Sequence, residues 1–279
     1  MKAYTYPYQD PNLGPEQRAD DLLSRMSLEE KMAQVQCFSA VHCFGRDVAE
    51  LFPNGAGQVS CLLASIFPNK EAVAEMVRRD QEKLMDLSEH NIPAIFHIET
   101  LTGVLIADAA TFPSGIGQAA TWDPDTQKKM GRVIGKQARA AGFRQGLAPV
   151  LDICRDPRFG RLGETYGEDP TLASAMGTAY VQGLQNDGDL ADGIIATGKH
   201  FLGFQAGEAG IHTARTAIPP RELREVYAKP FQAAITDGKL ESVMNSYATI
   251  DREPVVGSRS ILTGLLREEM GFGGITVSD

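Results

Sequence analysis

Several kinds of residue and segment are scarce in this chain, and each scarcity narrows its function. The four cysteines, Cys37, Cys43, Cys61 and Cys154, include no CxxC pair. That excludes a disulfide framework, makes a cysteine-based metal site an improbable reading, and predicts reduced thiols in a cytoplasmic setting. No apolar run reaches the roughly 18 residues that a bilayer span requires. The opening MKAYTYPYQDPNLG also lacks the apolar core of a secretory signal. Basic residues are outnumbered 27 to 36, for a net charge of -9, which argues against a nucleic-acid partner and against an anionic membrane surface. A neutral or cationic small molecule is the expected ligand, with no metal or cofactor. No repeat, linker or low-complexity stretch divides the chain.

What is present is an alternation of strand and helix patterns. After an irregular lead-in, Ser27 and Glu30 form a capping box ahead of Leu28, Met32 and Val35, and the preceding segment already reads as a helix. Strands are then predicted at 59–66, 93–98, 147–151, 194–200, 242–247 and 275–278. Between them lie helices opened by Asn69, by Asp123 with Pro124, by Asp169 with Pro170, by Pro220, and by Ser258. Helices between all strands demand a parallel sheet with right-handed crossovers. Polar clusters follow nearly every strand, as the ligand face of a barrel requires. The expected fold class is therefore α/β, a (β/α)8 TIM-type barrel left incomplete with about six units present. The expected division is a lead-in and first helix over 1–26 and the barrel over 27–279.

Four strand ends carry chemistry. The 194–200 strand ends in Lys199 and His200, the second ends at Glu99, the fifth in Asn245-Ser246-Tyr247, and the sixth in Ser278-Asp279. In a parallel α/β fold that end is the ligand end. Each residue alone has a plainer reading. Glu99 suits an ion pair with a nearby arginine, and Lys199 with His200 can simply cap a strand at the surface. The loop RDPRFGRLGETYGEDP, residues 155–170, is so charged that it folds only if its charges pair. We therefore assign Arg155, Asp156, Glu164, Glu168 and Asp169 to a rigid wall and leave one arginine to reach the opening. Carboxylate, guanidinium, ammonium, imidazole and phenol around one mouth suit a polyhydroxylated neutral ligand, and a sugar fits best.

The motifs RDPRFGR with ETYGEDP, GKHF, MNSY and the final GFGGITVSD, in that order, resemble the N-terminal barrel domain of glycoside hydrolase family 3, the β-glucosidase and β-xylosidase group. The resemblance runs from about Ser27 to the last residue. It implies that Asp279 is the catalytic nucleophile of a retaining, exo-acting enzyme with a covalent glycosyl-aspartate intermediate. Glu99 stands where many members have Asp on the distal sugar hydroxyls. Arg161, Lys199 and His200 match the other hydroxyl clamps, and Tyr247 matches the aromatic residue beside the nucleophile. The acid/base Glu of the family usually lies beyond the point where this chain stops. Physical chemistry concurs, since retention needs two carboxyl groups about 5–5.5 Å apart, and nearby Lys199 and Arg161 would keep Asp279 ionised.

Three rivals stay open. An N-acetylhexosaminidase of the same family places a catalytic His after the Lys-His strand, where His212 is the one candidate, though without the expected Asp-Ser-His context. A barrel lyase would use Lys199 in a Schiff base. A non-catalytic sugar-binding fragment is the third. If the chain is truncated at Asp279, it is expected to be inactive alone, and to need a missing C-terminal segment or a homo-oligomeric partner to complete its site.

Overall fold

The computed structural model describes residues 4–39 and 47–279; Cys43 lies outside them. No described helix is long and apolar enough to cross a membrane. Cys37, Cys61 and Cys154 are free. By contacts the chain forms two compact units, residues 1–61 with 75–96, and residues 62–74 with 97–279.

In the first unit, Pro15 starts the helix Pro15–Arg25 at a position where its missing N–H costs nothing. Leu28–Gln34 follows behind the predicted capping box: Ser27 Oγ accepts from Glu30 N at 3.1 Å, and Glu30 Oε2 accepts from Ser27 N at 2.9 Å. Two short strands, β1 (Cys37–Ser39) and β2 (Gln58–Ser60), pair in parallel. The third, β3 (Ile95–Ile98), starts in this unit with Ile95 N donating to Gly57 O. The sequence pattern misses β1 and overextends β2. Residues 64–66 are a 3-10 turn, with Leu62 and Leu63 exposed, because a short apolar run does not by itself distinguish strand from turn.

The second unit takes up the end of β3 and continues in parallel through β4 (Gln145–Gly146) and β5 (Ile195–Phe201). Strands β6 (Arg215–Thr216), β8 (Thr249–Ile250) and β9 (Glu253–Pro254) form a small separate sheet. The main ladder passes from β5 to β7 (Ser242–Asn245) and then to β10 (Ile275–Val277), again in parallel. The fold class expected from the sequence, a parallel α/β barrel type short of eight strands, is the one found. Two outer helices, Pro124–Ala140 and Pro170–Leu184, begin where predicted. Asp123 caps the first through Thr126 N, and Asp169 caps the second through Thr171 N and Leu172 N, each such cap being worth about 1 kcal/mol.

Other boundaries moved for identifiable reasons. The strand expected at 147–151 is displaced: the ladder β4 covers only Gln145–Gly146, and within 147–151, where Pro149 has no N–H to give, a single bridge pairs Val150 with Lys199. The chain nevertheless stays extended there, with Leu147 N donating to Ile98 O and Leu151 N to Lys199 O. The kink expected at Pro230 is absent. A π-helical turn, Leu223–Tyr227, separates Pro220–Glu222 from Lys229–Thr236, and Pro230 falls in the first turn of the latter, where it is tolerated. The last helix is π-helical over Ser260–Glu269.

Candidate active site

The predicted site residues are all delivered by the second unit, from strand ends and the loops that follow them. Strand β5 carries Lys199 and His200, 4% and 1% exposed. These two neighbours find different partners. Lys199 Nζ pairs with Glu99 Oε1 at 2.7 Å, where Glu99 follows β3. His200 meets Asp152 Oδ2 through Nδ1 at 2.8 Å and through its backbone N at 3.0 Å.

The charged loop forms a wall, as its composition predicted. Asp156 accepts from Arg158, Arg155 pairs with Glu222 at 3.6 Å, and Asp169 caps a helix. Phe159 and Cys154 pack on Phe204, the residue four beyond His200. Close approach fixes the wall on its other side, since a Cβ at Gly115 would collide with the Glu164 carbonyl oxygen. Gly203, at φ +74°, lets the chain turn left-handed after β5 against Ile218 and Ile250.

The exceptional arginine is Arg161. Its guanidinium forks onto Glu164 at 2.7 and 2.8 Å and reaches His200 Nε2 at 3.2 Å, while lying 5.2 Å over the Phe204 ring. Burial pushes the Glu164 carboxyl up, but the Arg161 hydrogen bonds and charge outweigh it, and the group ends below its usual range. The same bonds raise Arg161, with the charges of Glu164, Asp152 and Asp279 adding to them against burial.

Asp279, two residues beyond the end of β10, places Oδ2 3.8 Å from His200 Nε2 with its side chain 19% exposed. Tyr247 gives Asp279 a hydrogen bond and rests its ring 5.6 Å from that of Phe204. Burial, the hydrogen bond to Asp279 and the Asp279 charge together raise the Tyr247 hydroxyl, so it stays a proton donor. Asp279, His200, Arg161 and Tyr247 thus converge. The ammonium of Lys199 faces Glu99, and the charge of Asp279 is among those that raise Arg161.

Three participants were given no place at the opening by the sequence reading. Asp152 carried a signal, since it follows the apolar run of the third predicted strand as Glu99 follows that of the second. Glu164 pairs within the wall as expected, and its partner there is Arg161. Phe204 carried none; its role as a ring shared by Arg161, His200 and Tyr247 exists only in three dimensions. His212 stacks on Phe159 at 4.5 Å and hydrogen-bonds its carbonyl at 3.0 Å. Among the described residues, no three His, Cys, Asp or Glu side chains are placed to hold a metal ion.

This geometry can be set beside known proteins. The chain is 34% identical to a protein named putative beta-xylosidase from Formosa agariphila, over 98% of this chain and 37% of that one. It is 30% identical to the periplasmic beta-glucosidase of Salmonella typhimurium, over 96% and 34% respectively. The solved β-glucosidase EmGH1 of Erythrobacter marinus superposes with a TM-score of 0.93 at 34% identity, covering 98% of this chain and 37% of that one. The chain therefore spans little more than a third of these relatives. Residues 27–279 match the family described as Glycosyl hydrolase family 3 N terminal domain, and it is to this family that the chain belongs.

Proposed function

We propose that the protein is a retaining, exo-acting β-glycosidase that removes terminal β-D-glucosyl or β-D-xylosyl residues from a glycoside or oligosaccharide. The observation that carries this reading is the convergence of Asp279 with His200, Arg161 and Tyr247 at one mouth. A carboxylate oxygen of Asp279 attacks the anomeric carbon, forming a glycosyl-aspartate as the glycosidic C–O bond breaks and the leaving oxygen takes a proton from an acid. Water then attacks the same carbon, releases Asp279 and returns a proton to that acid. Tyr247, beside Asp279, helps to orient the carboxylate. Lys199 with Glu99, Arg161, and His200 bind hydroxyls. Asp152 lies behind His200 and Glu164 is forked onto Arg161, which disfavours both as the acid/base; in the family the acid/base Glu usually comes from beyond the corresponding segment. The barrel domain is taken as 27–279, and free thiols support the cytoplasmic reading, although the Salmonella relative is named periplasmic.

The rivals have less support. His212 Nε2 is engaged by a backbone carbonyl. Lys199 is held against a carboxylate rather than in the apolar pocket typical of Schiff-base lysines. The test is a fluorinated glycoside inactivator given to the full-length enzyme: label on Asp279 is expected, and label on another residue overturns the assignment. Glu99 reaches one methylene further than Asp and should favour pentosides. An unchanged ratio of aryl xyloside to aryl glucoside rates in Glu99→Asp removes that argument.

A further inference from the structure

His200 is held by two partners of opposite character. On one side Asp152 Oδ2 faces both the backbone N–H, at 3.0 Å, and Nδ1, at 2.8 Å. Both side chains of this pair are 2% exposed, so solvent does not compete for the contact. On the other side an Arg161 Nη2 approaches Nε2 to 3.2 Å. A guanidinium nitrogen has only protons to offer, so the Nε2 it meets supplies a lone pair. A carboxylate oxygen has only lone pairs, so the Nδ1 it meets supplies the proton. The Asp279 oxygen on the same side lies 3.8 Å from Nε2, beyond hydrogen-bond reach, so the opposite demands of Asp152 and Arg161 on the two ring nitrogens leave one tautomer.

We propose that Asp152 is a positioning residue that locks His200 as the Nδ1–H tautomer, so that at the mouth His200 acts as an acceptor and reads a sugar hydroxyl by the proton that hydroxyl donates. The identity of the ligand rests on the glycosidase reading above; the tautomer does not. Lys199 and Arg161 can only donate, so His200 is the one nitrogen base of the site that demands a donor from the substrate. A sugar binding there takes the place Arg161 now holds on Nε2 and leaves the guanidinium free for a neighbouring hydroxyl. Fluorine separates the two kinds of contact, because C–F accepts weakly and cannot donate. A hydroxyl read by His200 is therefore not replaceable by fluorine, whereas one read by Lys199 or Arg161 is partly so.

The test uses the full-length protein labelled with 15N at histidine, with the His200 signals assigned by their loss in His200→Asn. Long-range proton–nitrogen correlation in the ligand-free protein should show the proton on Nδ1 and none on Nε2. A proton on Nε2 overturns the proposal. Calorimetry with glucose and xylose, each hydroxyl in turn replaced by hydrogen or by fluorine, should reveal, besides any hydroxyl that donates to the Glu99 carboxylate, a position where both replacements weaken binding by about tenfold, the worth of one hydrogen bond. In Asp152→Ala the Nε2–H form should appear and the loss at that position should fall to about threefold or less. Unchanged losses in that variant overturn the proposal; if it does not fold, the wild-type tautomer alone decides. Absence of any binding by the parent sugars, with the tautomer as expected, counts against the glycosidase reading instead.

Discussion

Two adjacent layers at the end of the parallel sheet in the second unit treat their polar groups differently. At the mouth each ionisable group has a partner: Lys199 has Glu99, Arg161 has Glu164, His200 has Asp152, and Asp279 has Tyr247. Two residues back on the same strands, and so on the same faces, lie His97 and Thr197, which join Gln145 and Ser242. Gln145 Nε2 donates to Thr197 Oγ1 at 2.9 Å and Ser242 Oγ at 3.0 Å. Gln145 Oε1 and His97 Nδ1 are buried and without a protein partner. Burial, and then the charge of Lys199 above it, push His97 down to about 4. His97 and His200 are both buried, at 7% and 1% exposure. The difference between them is one of partners. The ammonium of Lys199 and the guanidinium of Arg161 are sustained by the carboxylates that face them, and the layer below, lacking such groups, excludes charge.

The largest test of that contrast removes the ammonium that the two layers share. Lys199→Met should lower kcat/KM on aryl glycosides by about 10²- to 10³-fold. It leaves a partly buried carboxylate unpaired, and loss of one member of a buried pair costs about 3–5 kcal/mol before discounting for exposure; here the Glu99 side chain is 29% exposed. A second substitution, Glu99→Met, should restore stability without restoring activity. If denaturation midpoints show the double variant no more stable than the single one, pairing is not what sustains the mouth.

A smaller effect belongs to the lower layer. The folded chain holds His97 near 4, against an ordinary value of 6.5. As pH falls from 6.5 toward 4, the unfolded chain takes up a proton that the folded chain refuses, and folding loses stability. The loss amounts to as much as about 3 kcal/mol across that window. His97→Gln should flatten it, as urea midpoints near pH 7 and pH 4.5 would reveal. An equal acid loss in the variant would break the comparison.

The smallest effect concerns Glu164. In Glu164→Gln the fork onto Arg161 loses its charge and one of its two hydrogen bonds, since the amide nitrogen donates as the guanidinium does. Since both side chains are partly exposed, 24% and 30%, the cost is modest. We expect kcat/KM to fall about three- to tenfold. Unchanged kinetics would show that Arg161 is oriented by Phe204 and His200 alone.

Much of the fold was legible because its signals are local. Ser27, Asp123 and Asp169 announce helix starts through side chains that reach backbone N–H groups two or three residues on. The 194–200 run is apolar until its charged end, and β5 occupies nearly the same span. Where the signal was weak, the reading slipped. Three-residue β1 has no period to detect, Pro149 interrupts a run that otherwise looks like strand, and the π-helical turns have the same apolar spacing as the α-helices expected in their place.

Asp279, Glu99, Arg161, Lys199, His200 and Tyr247 could be singled out as candidates because charged and aromatic groups at the carboxyl ends of apolar runs are conspicuous in any parallel sheet. Their number and type, the helix boundaries set by caps, and the alternation that demands parallel pairing all follow from interactions a few residues long. Which group meets which does not. Lys199 and Glu99 are separated by 100 residues and His200 and Asp152 by 48. They meet because strand register and the course of the wall loop bring them together. Since one residue of slip turns every side chain to the other face, the pairing of the site, the tautomer of His200 and the shared ring of Phe204 were decided by the packed sheet.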